Sequence, residues 1–209
     1  MKILVADDHS VVRNGLVQIL KELGLAEIVE EASDGNEALE KIMTGKYDFV
    51  ILDISMPSIS GLEILETLKA RQKKANVLIL SFYPHKQFAV RALKLGASGY
   101  LSKDSAREEL TLAIKKISAG EKYISSEIVE NLVSGLNKED GITPHSRLSE
   151  REFQVLCLLA KGISIVEIGE KLYLSENTIS TYRTRLLQKM QMKSNADLTL
   201  YAHQNKLIE

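Results

Sequence analysis

Residues 49–57, Phe-Val-Ile-Leu-Asp-Ile-Ser-Met-Pro, decide the fold. Phe49–Ile54 is apolar apart from Asp53, with no polar alternation, as a parallel strand covered on both faces requires. It carries a carboxylate near its carboxyl end, where open parallel sheets collect their chemistry. Outward from it the same pattern recurs at Ile3–Ala6, Ile28–Ala32, Val77–Leu80 and Gly99–Leu101. Helical periodicity fills the intervals at about 10–22, 34–44, 60–71, 85–94 and 105–118. Five β–α units with short connections predict a doubly wound α/β parallel sheet.

Helix starts are written into the chain. Ser60/Glu63, Ser105/Glu108, Ser149/Glu152 and Ser164/Glu167 fit the Ser-x-x-Glu capping box, in which side chains satisfy the orphan N–H groups of a first turn. A further helix is expected over about 125–134, followed by the polar, aperiodic stretch SGLNKEDGITPHSR at 134–147, a linker by composition. Only helical patterns follow, at about 149–161, 164–171, 175–190 and 194–204, so a small all-α unit of four helices is expected. The organisation is an α/β domain at 1–120, a helix and linker at 121–146, and an α domain at 147–209.

Composition narrows the classes. A net charge of −1 excludes a uniformly basic coat but not a local face for nucleic acid. No run approaches the ~20 apolar residues of a membrane span, and no signal peptide is visible, so a cytoplasmic protein without membrane contact is expected. With one cysteine, Cys157, there is no intrachain disulfide.

The strand ends bring together Asp7 and Asp8, then Asp53, Ser81 and Lys103. Three crowded carboxylates call for a hard cation that takes oxygen ligands, and Mg²⁺ fits best. Lys103 and the Ser81 hydroxyl supply a charge and a donor for a phosphoryl oxygen, so the set suits phosphoryl transfer to a carboxylate.

Asp7-Asp8, Asp53-Ile-Ser-Met-Pro57 with Gly61, Ser81, and Gly99-Tyr-Leu-Ser-Lys103 together resemble the receiver domain of two-component response regulators. The resemblance spans about residues 1–120 and implies a flavodoxin-like (βα)5 fold. It also implies that Asp53 accepts a phosphoryl group from a sensor histidine kinase. Asp8, Asp53 and the Ser55 carbonyl would hold Mg²⁺, Asp7 would support it through water, and Lys103 would pair with the phosphoryl group. Ser81 and Tyr100 match a switch pair whose hydroxyl moves toward the phosphoryl group as the ring turns inward. Two positions depart from the common pattern. Phe82 is bulky where a small residue is usual, and so narrows access to Asp53. Asp104 stands where many relatives carry a cis-proline, and a trans bond is expected there. An aspartyl-nucleophile phosphatase of the haloacid-dehalogenase kind would need a second carboxylate at Ser55 to drive turnover, so no enzyme is expected.

Residues 147–209 hold nine Lys/Arg against seven Asp/Glu. The helices at 164–171 and 175–190, joined by a short Leu172-Tyr-Leu174 turn, are spaced as in a helix-turn-helix. On the second, Ile179, Tyr182, Leu186 and Met190 form a packing face. Thr181, Thr184, Arg185 and Gln188 point away as base readers, beside Ser180, with Arg183 and Lys189 as phosphate contacts at the rim. Leu148-Ser-Glu-Arg-Glu-Phe-Gln-Val-Leu156, Glu167-Ile168, Leu174-Ser-Glu-Asn-Thr-Ile179 and Lys189-Met190 resemble the LuxR-type DNA-binding domain. With the receiver this is the layout of the NarL/FixJ subfamily. The resemblance implies a transcription regulator that dimerises on activation, through the last helix at about 194–204, and binds double-stranded DNA at paired half-sites. A receiver that is never phosphorylated and acts through protein partners is the remaining alternative.

Overall fold

A computed structural model describes residues 1–82, 86–105, 107–125, 129, 143–205 and 207–208. The expected helix at about 125–134 falls outside the described residues except at its first position and at Val129. The chain forms two compact units, Met1–Lys138 and Glu139–Glu209.

The first unit runs β1 (Lys2–Ala6), α1 (Ser10–Glu22), β2 (Ile28–Ala32), α2 (Gly35–Thr44), β3 (Phe49–Asp53), α3 (Gly61–Ala70), β4 (Val77–Ser81), α4 (Lys86–Leu95), β5 (Gly99–Ser102), α5 (Arg107–Ser118) and β6 (Tyr123–Ile124). All strands are parallel, in the order β2-β1-β3-β4-β5-β6. The order reverses between β1 and β3, and the crevice at such a switch point is where a doubly wound sheet binds its ligand. β3 and β4 are buried at every position, which explains their apolar spelling up to the terminal Asp53 and Ser81. β2 lies at the sheet edge, and there Ile28 is exposed while charged residues interrupt the run. Ile3, Val5, Phe49, Ile51, Leu78 and Leu80 pack against Leu20 of α1 and Leu110, Ile114 and Ile117 of α5 as one core.

The sixth strand departs from the expectation of helix and linker from residue 121. It has two residues, too few for any period to register. Its attachment is main-chain, with the Tyr123 N–H donating to the Ser98 carbonyl at 3.0 Å and Ser125 N–H to that of Tyr100 at 3.4 Å.

The turn after β3 is built tightly. Ser60 caps α3 in a full capping box with Glu63, and Gly61 N–H donates to the Ile54 carbonyl at 3.0 Å. A Cβ on Gly61 would stand 2.4 Å from the Asp53 carbonyl oxygen, inside any tolerated contact. Gly61→Ala is therefore expected to push the end of β3 away from α3 and to cost about 1–3 kcal/mol. Scanning calorimetry of the whole chain checks this, and an unchanged transition would show that the turn has slack.

The second unit opens with a 3₁₀ turn at Pro144–Arg147, inside the stretch read as linker, followed by α6 (Glu150–Ala160), α7 (Ile165–Leu172), α8 (Glu176–Met190) and α9 (Asn195–Gln204). The 3₁₀ turn is held to α9 by a 2.6 Å hydrogen bond between His145 Nδ1 and the Tyr201 hydroxyl. The capping boxes of Ser149 and Ser164 form as expected, and Ser194 makes a fourth with Asp197, whose shorter acid was not recognised. α7 ends with Tyr173 in the left-handed region, φ 54°, which lets Leu174 N–H bond back to the Gly169 carbonyl at 2.8 Å and turns the chain directly into α8. The unit's core is Phe153, Val155, Leu156, Ile168, Ile179, Leu186, Met190, Leu198 and Ala202.

Candidate functional site

At the switch point, β1 delivers Asp7 and Asp8 and β3 delivers Asp53, while Lys103 arrives from the residue after β5. Lys103 Nζ lies 2.8 Å from Asp7 Oδ2 and 2.9 Å from Asp53 Oδ2, and all three side chains are essentially sealed from solvent. Burial raises the Asp53 carboxyl to about 6, with Lys103 pulling it down and the neighbouring carboxylates pushing it up. Burial also opposes ionisation of Asp7, but hydrogen bonds from His9 and the Lys103 charge outweigh it and hold its carboxyl below the usual range. Lys103 is raised despite burial, because Asp53 and Asp7 stabilise the ammonium.

One cation for three carboxylates leaves an excess of negative charge. His9 Nδ1 offsets part of it, at 2.8 Å from Asp8 Oδ1 and 3.4 Å from Asp7 Oδ1, and those contacts push its imidazole up to about 9. Ligand atoms of Asp7, Asp8, His9 and Asp53 all lie within 4.8 Å of one another. Such a set fits a hard divalent cation on its three carboxylates.

Ser81 ends β4 beside Ser102 of β5 and is fully buried, as is the Tyr100 ring. The ring expected to turn inward is thus already inside. Ser55 N–H reaches the Asp53 Oδ1 at 3.3 Å. Phe82 stands beside this cluster: its ring lies over Lys103 Nζ at 4.7 Å from the centroid and meets the His9 ring edge-on at 5.8 Å. The described residues contain no cis peptide bond, so Lys103–Asp104 is trans as expected.

In the second unit, Ile179, Leu186 and Met190 are buried on the packing face of α8, and Tyr182 is half-buried. Ser180, Thr181, Thr184, Arg185 and Gln188 are exposed. The hydroxyls of Thr181 and Thr184 donate back to the carbonyls of Asn177 and Ser180, both at 2.9 Å. Their protons are thus engaged, and their lone pairs remain available to accept from a base. Arg183 and Lys189 are placed differently from Arg185. Arg183 Nε donates to Asn195 Oδ1 at 2.7 Å, and Lys189 Nζ pairs with the buried Glu152 at 2.7 Å.

Residues 3–115 match the family model of the response regulator receiver domain, and residues 146–202 match that of the bacterial regulatory proteins of the luxR family. The chain belongs to the response regulators with a LuxR-type DNA-binding domain. This regulator is 37% identical over 216 residues to the oxygen regulatory protein NreC of Staphylococcus aureus strain JH9, covering all of both chains. A LuxR-family two-component response regulator from Aurantimonas sp. SI85-9A1 is similar over 66% of this chain and 98% of its own, with 30% identity and a TM-score of 0.62. RcsB of Salmonella enterica serovar Typhimurium, bound to promoter rprA in the presence of phosphomimetic BeF3⁻, shares the fold at 24% identity and a TM-score of 0.58, over 96% and 97% of the chains. The family is one of transcription regulators rather than enzymes. No helix among the described residues is long and apolar enough to cross a membrane.

Sequence reasoning missed two supports of the regulator's acidic site. His9 was visible only as a neighbour of the Asp pair. Arg13, one turn into α1, donates from its guanidinium to the Asp7 carbonyl at 2.8 Å and to Glu31 at 2.9 Å, and so ties the acidic turn to β2.

Proposed function

We propose that this regulator accepts a phosphoryl group on Asp53 from a phosphohistidine of a sensor histidine kinase, and that the modified form dimerises on paired half-sites in double-stranded DNA. The observation that carries the reading is the position of Asp53: a buried carboxylate at the switch point of the sheet, 2.9 Å from a buried lysine. Asp8, Asp53 and the Ser55 carbonyl would hold Mg²⁺, with Asp7 as a further support, and the bound ion would supply positive charge against the crowded carboxylates and the incoming phosphoryl oxygens. The Asp53 carboxylate oxygen attacks phosphorus, the imidazole nitrogen of the donor leaves with the bonding pair, and Lys103 pairs with a phosphoryl oxygen. Ser55, at the place of the second carboxylate in aspartyl phosphatases, offers no base to activate water, so the aspartyl phosphate persists as a state of the protein. Ser81 and Tyr100 carry that state to the surface of α4 and β5.

In the domain at 147–209, α8 reads base edges through Ser180, Thr181, Thr184, Arg185 and Gln188, with Arg183 and Lys189 toward the backbone. Dimerisation raises DNA affinity because the second half-site is bound at high effective concentration. A second reading, control without phosphorylation, is favoured by the inward Tyr100 and by the ring over Lys103.

Selection of genomic DNA fragments by the purified protein separates the two. It is run with and without Mg²⁺ plus beryllofluoride, beside Asp53→Asn. Enrichment of paired sites only by activated wild type is expected. Equal enrichment in every sample would retain the DNA-binding role and remove phosphorylation as its control.

A further inference from the structure

We propose that the receiver carries a second ligand site, at the end of the sheet away from Asp53, for a nucleotide-like anion: an aromatic body bearing two or more phosphoryl charges. The site does not depend on the phosphoacceptor reading. All strands are parallel, so the starts of β1, β3 and β4 lie together on the edge opposite the acidic cluster. There Met1, Tyr47 and Asp48 face the turns that end α3 and α4 across a groove of about 800 Å³. Pockets of that size hold small organic ligands. The apolar lining is Leu65, Leu68, Val77 and Leu95. Beside it, sharing Tyr47, Lys73 and Lys74, lies a smaller recess of about 180 Å³. Tyr47, the common wall, is fixed: its hydroxyl donates to Glu30 at 2.5 Å, and Lys2 Nζ stands 4.8 Å from its ring centroid.

The two lobes differ in charge. The smaller is lined by Lys46, Lys73 and Lys74 and by no carboxylate. The larger adds Lys69 and one acid, Asp48, whose carboxylate accepts from the Lys2 main-chain N–H at 2.7 Å. Lys69 Nζ donates to the Lys94 carbonyl of α4 at 2.9 Å, and Lys73 Nζ to the Met43 carbonyl of α2 at 3.4 Å. A neutral carbonyl holds an ammonium in place without cancelling its charge, and two N–H donors of each lysine remain for a ligand. Among the described residues none of the four lysines is paired with a carboxylate. Held cations with unmatched charge beside an apolar floor are complementary to an anion with an apolar body. The small basic recess suits the phosphoryl groups, and the larger lobe suits the ring system.

The test is a titration of ¹⁵N-labelled full-length protein in EDTA, so that no metal draws phosphate to the acidic end. ADP, adenosine and inorganic pyrophosphate are added separately, and the backbone amide shifts report both affinity and location. ADP is expected to move the amides of residues 45–48, 65–77 and 95–96 saturably, with a Kd below about 1 mM. Adenosine, which lacks the charge, and pyrophosphate, which lacks the body, should each bind at least about tenfold more weakly. Lys73→Ala/Lys74→Ala should weaken ADP by about tenfold or more, whereas Lys73→Arg/Lys74→Arg should retain it. Asp53→Asn should bind ADP as wild type does. The map of shifts in wild type still decides the matter if the alanine variant folds poorly. No saturable shift overturns the site. Pyrophosphate binding as tightly as ADP reduces the groove to a charged surface and overturns it. Shifts confined to α8 mean that the helical unit takes ADP as a fragment of a polyanion, and loss of binding in Asp53→Asn moves the ligand to the acidic end; either overturns the proposal.

Discussion

Lys103→Met is expected to cost the metal-free receiver about 3–5 kcal/mol at pH 8.5, because it removes the ammonium that pairs with both Asp7 and Asp53 in a buried charge cluster. The methionine keeps the length of the side chain and its apolar stem, so the change is mainly one of charge. What remains are the Asp7 and Asp53 carboxylates, both sealed from water, with no cation at 2.8 and 2.9 Å. The cluster has one escape, which is protonation. Burial already raises the Asp53 carboxyl to about 6 with Lys103 in place, and without the lysine it rises further. The sign follows from linkage. A carboxyl whose folded pKa exceeds its unfolded value is protonated in the native state first, so native stability falls as pH rises between the two values. The penalty of Lys103→Met relative to wild type is therefore expected to be small near pH 5 and to grow as pH rises through the displaced pKa of Asp53. Mg²⁺ should narrow the gap by returning positive charge to the carboxylates. Protection of β1 and β3 amides against hydrogen exchange, compared between the two full-length proteins at each pH, reads this locally. A penalty equal at pH 5 and 8.5 and indifferent to Mg²⁺ would mean that lost packing, not charge, is at issue.

That cluster was largely legible in the sequence, and the reason is geometric. A fully buried parallel strand must be written in apolar residues, so the end of each run marks the carboxyl edge of the sheet. The chemistry of a doubly wound fold lies along that edge. Asp53 and Lys103 could thus be brought together from positions 50 residues apart without any knowledge of side-chain direction. What was not legible depended on direction. His9 beside two aspartates reads equally well as a solvated residue at a helix start, and only its ring orientation reveals the contacts to both. Arg13 bonds to a main-chain carbonyl, a partner that sequence never marks. β6 is attached by main-chain groups of two residues, below the length at which a pattern exists. Arg183 and Lys189 sat at the rim of a helical projection, where a phosphate contact and an intramolecular one look alike. Their partners, Asn195 and Glu152, belong to other helices, which a projection of α8 does not contain.

This difference between rim and face determines the second large effect. Arg185→Ala is expected to weaken binding to paired half-sites by about 2–6 kcal/mol, roughly 30-fold to 10⁴-fold. A bidentate arginine–base contact is worth about 1–3 kcal/mol, and a dimer loses it twice. Arg185 is exposed on α8, on the same side as Thr181 and Thr184. Those hydroxyls are bound to the helix's own carbonyls, so toward DNA they can only accept. On that face of the helix Arg185 is the cationic donor, the group suited to guanine O6 and N7. Lys189 cannot be lost so simply. Its ammonium holds Glu152, which is buried and also caps Ser149, so Lys189→Ala strands a buried carboxylate and should destabilise the four-helix unit itself. The two variants are separated by measuring affinity for a selected site and for unrelated DNA over a range of salt. Arg185→Ala should lose the selected site far more than unrelated DNA, with melting of the helical unit unchanged. If it weakens both DNAs alike and lowers the salt slope by about one per subunit, Arg185 is a phosphate contact and base reading must reside in Ser180, the two threonines and Gln188.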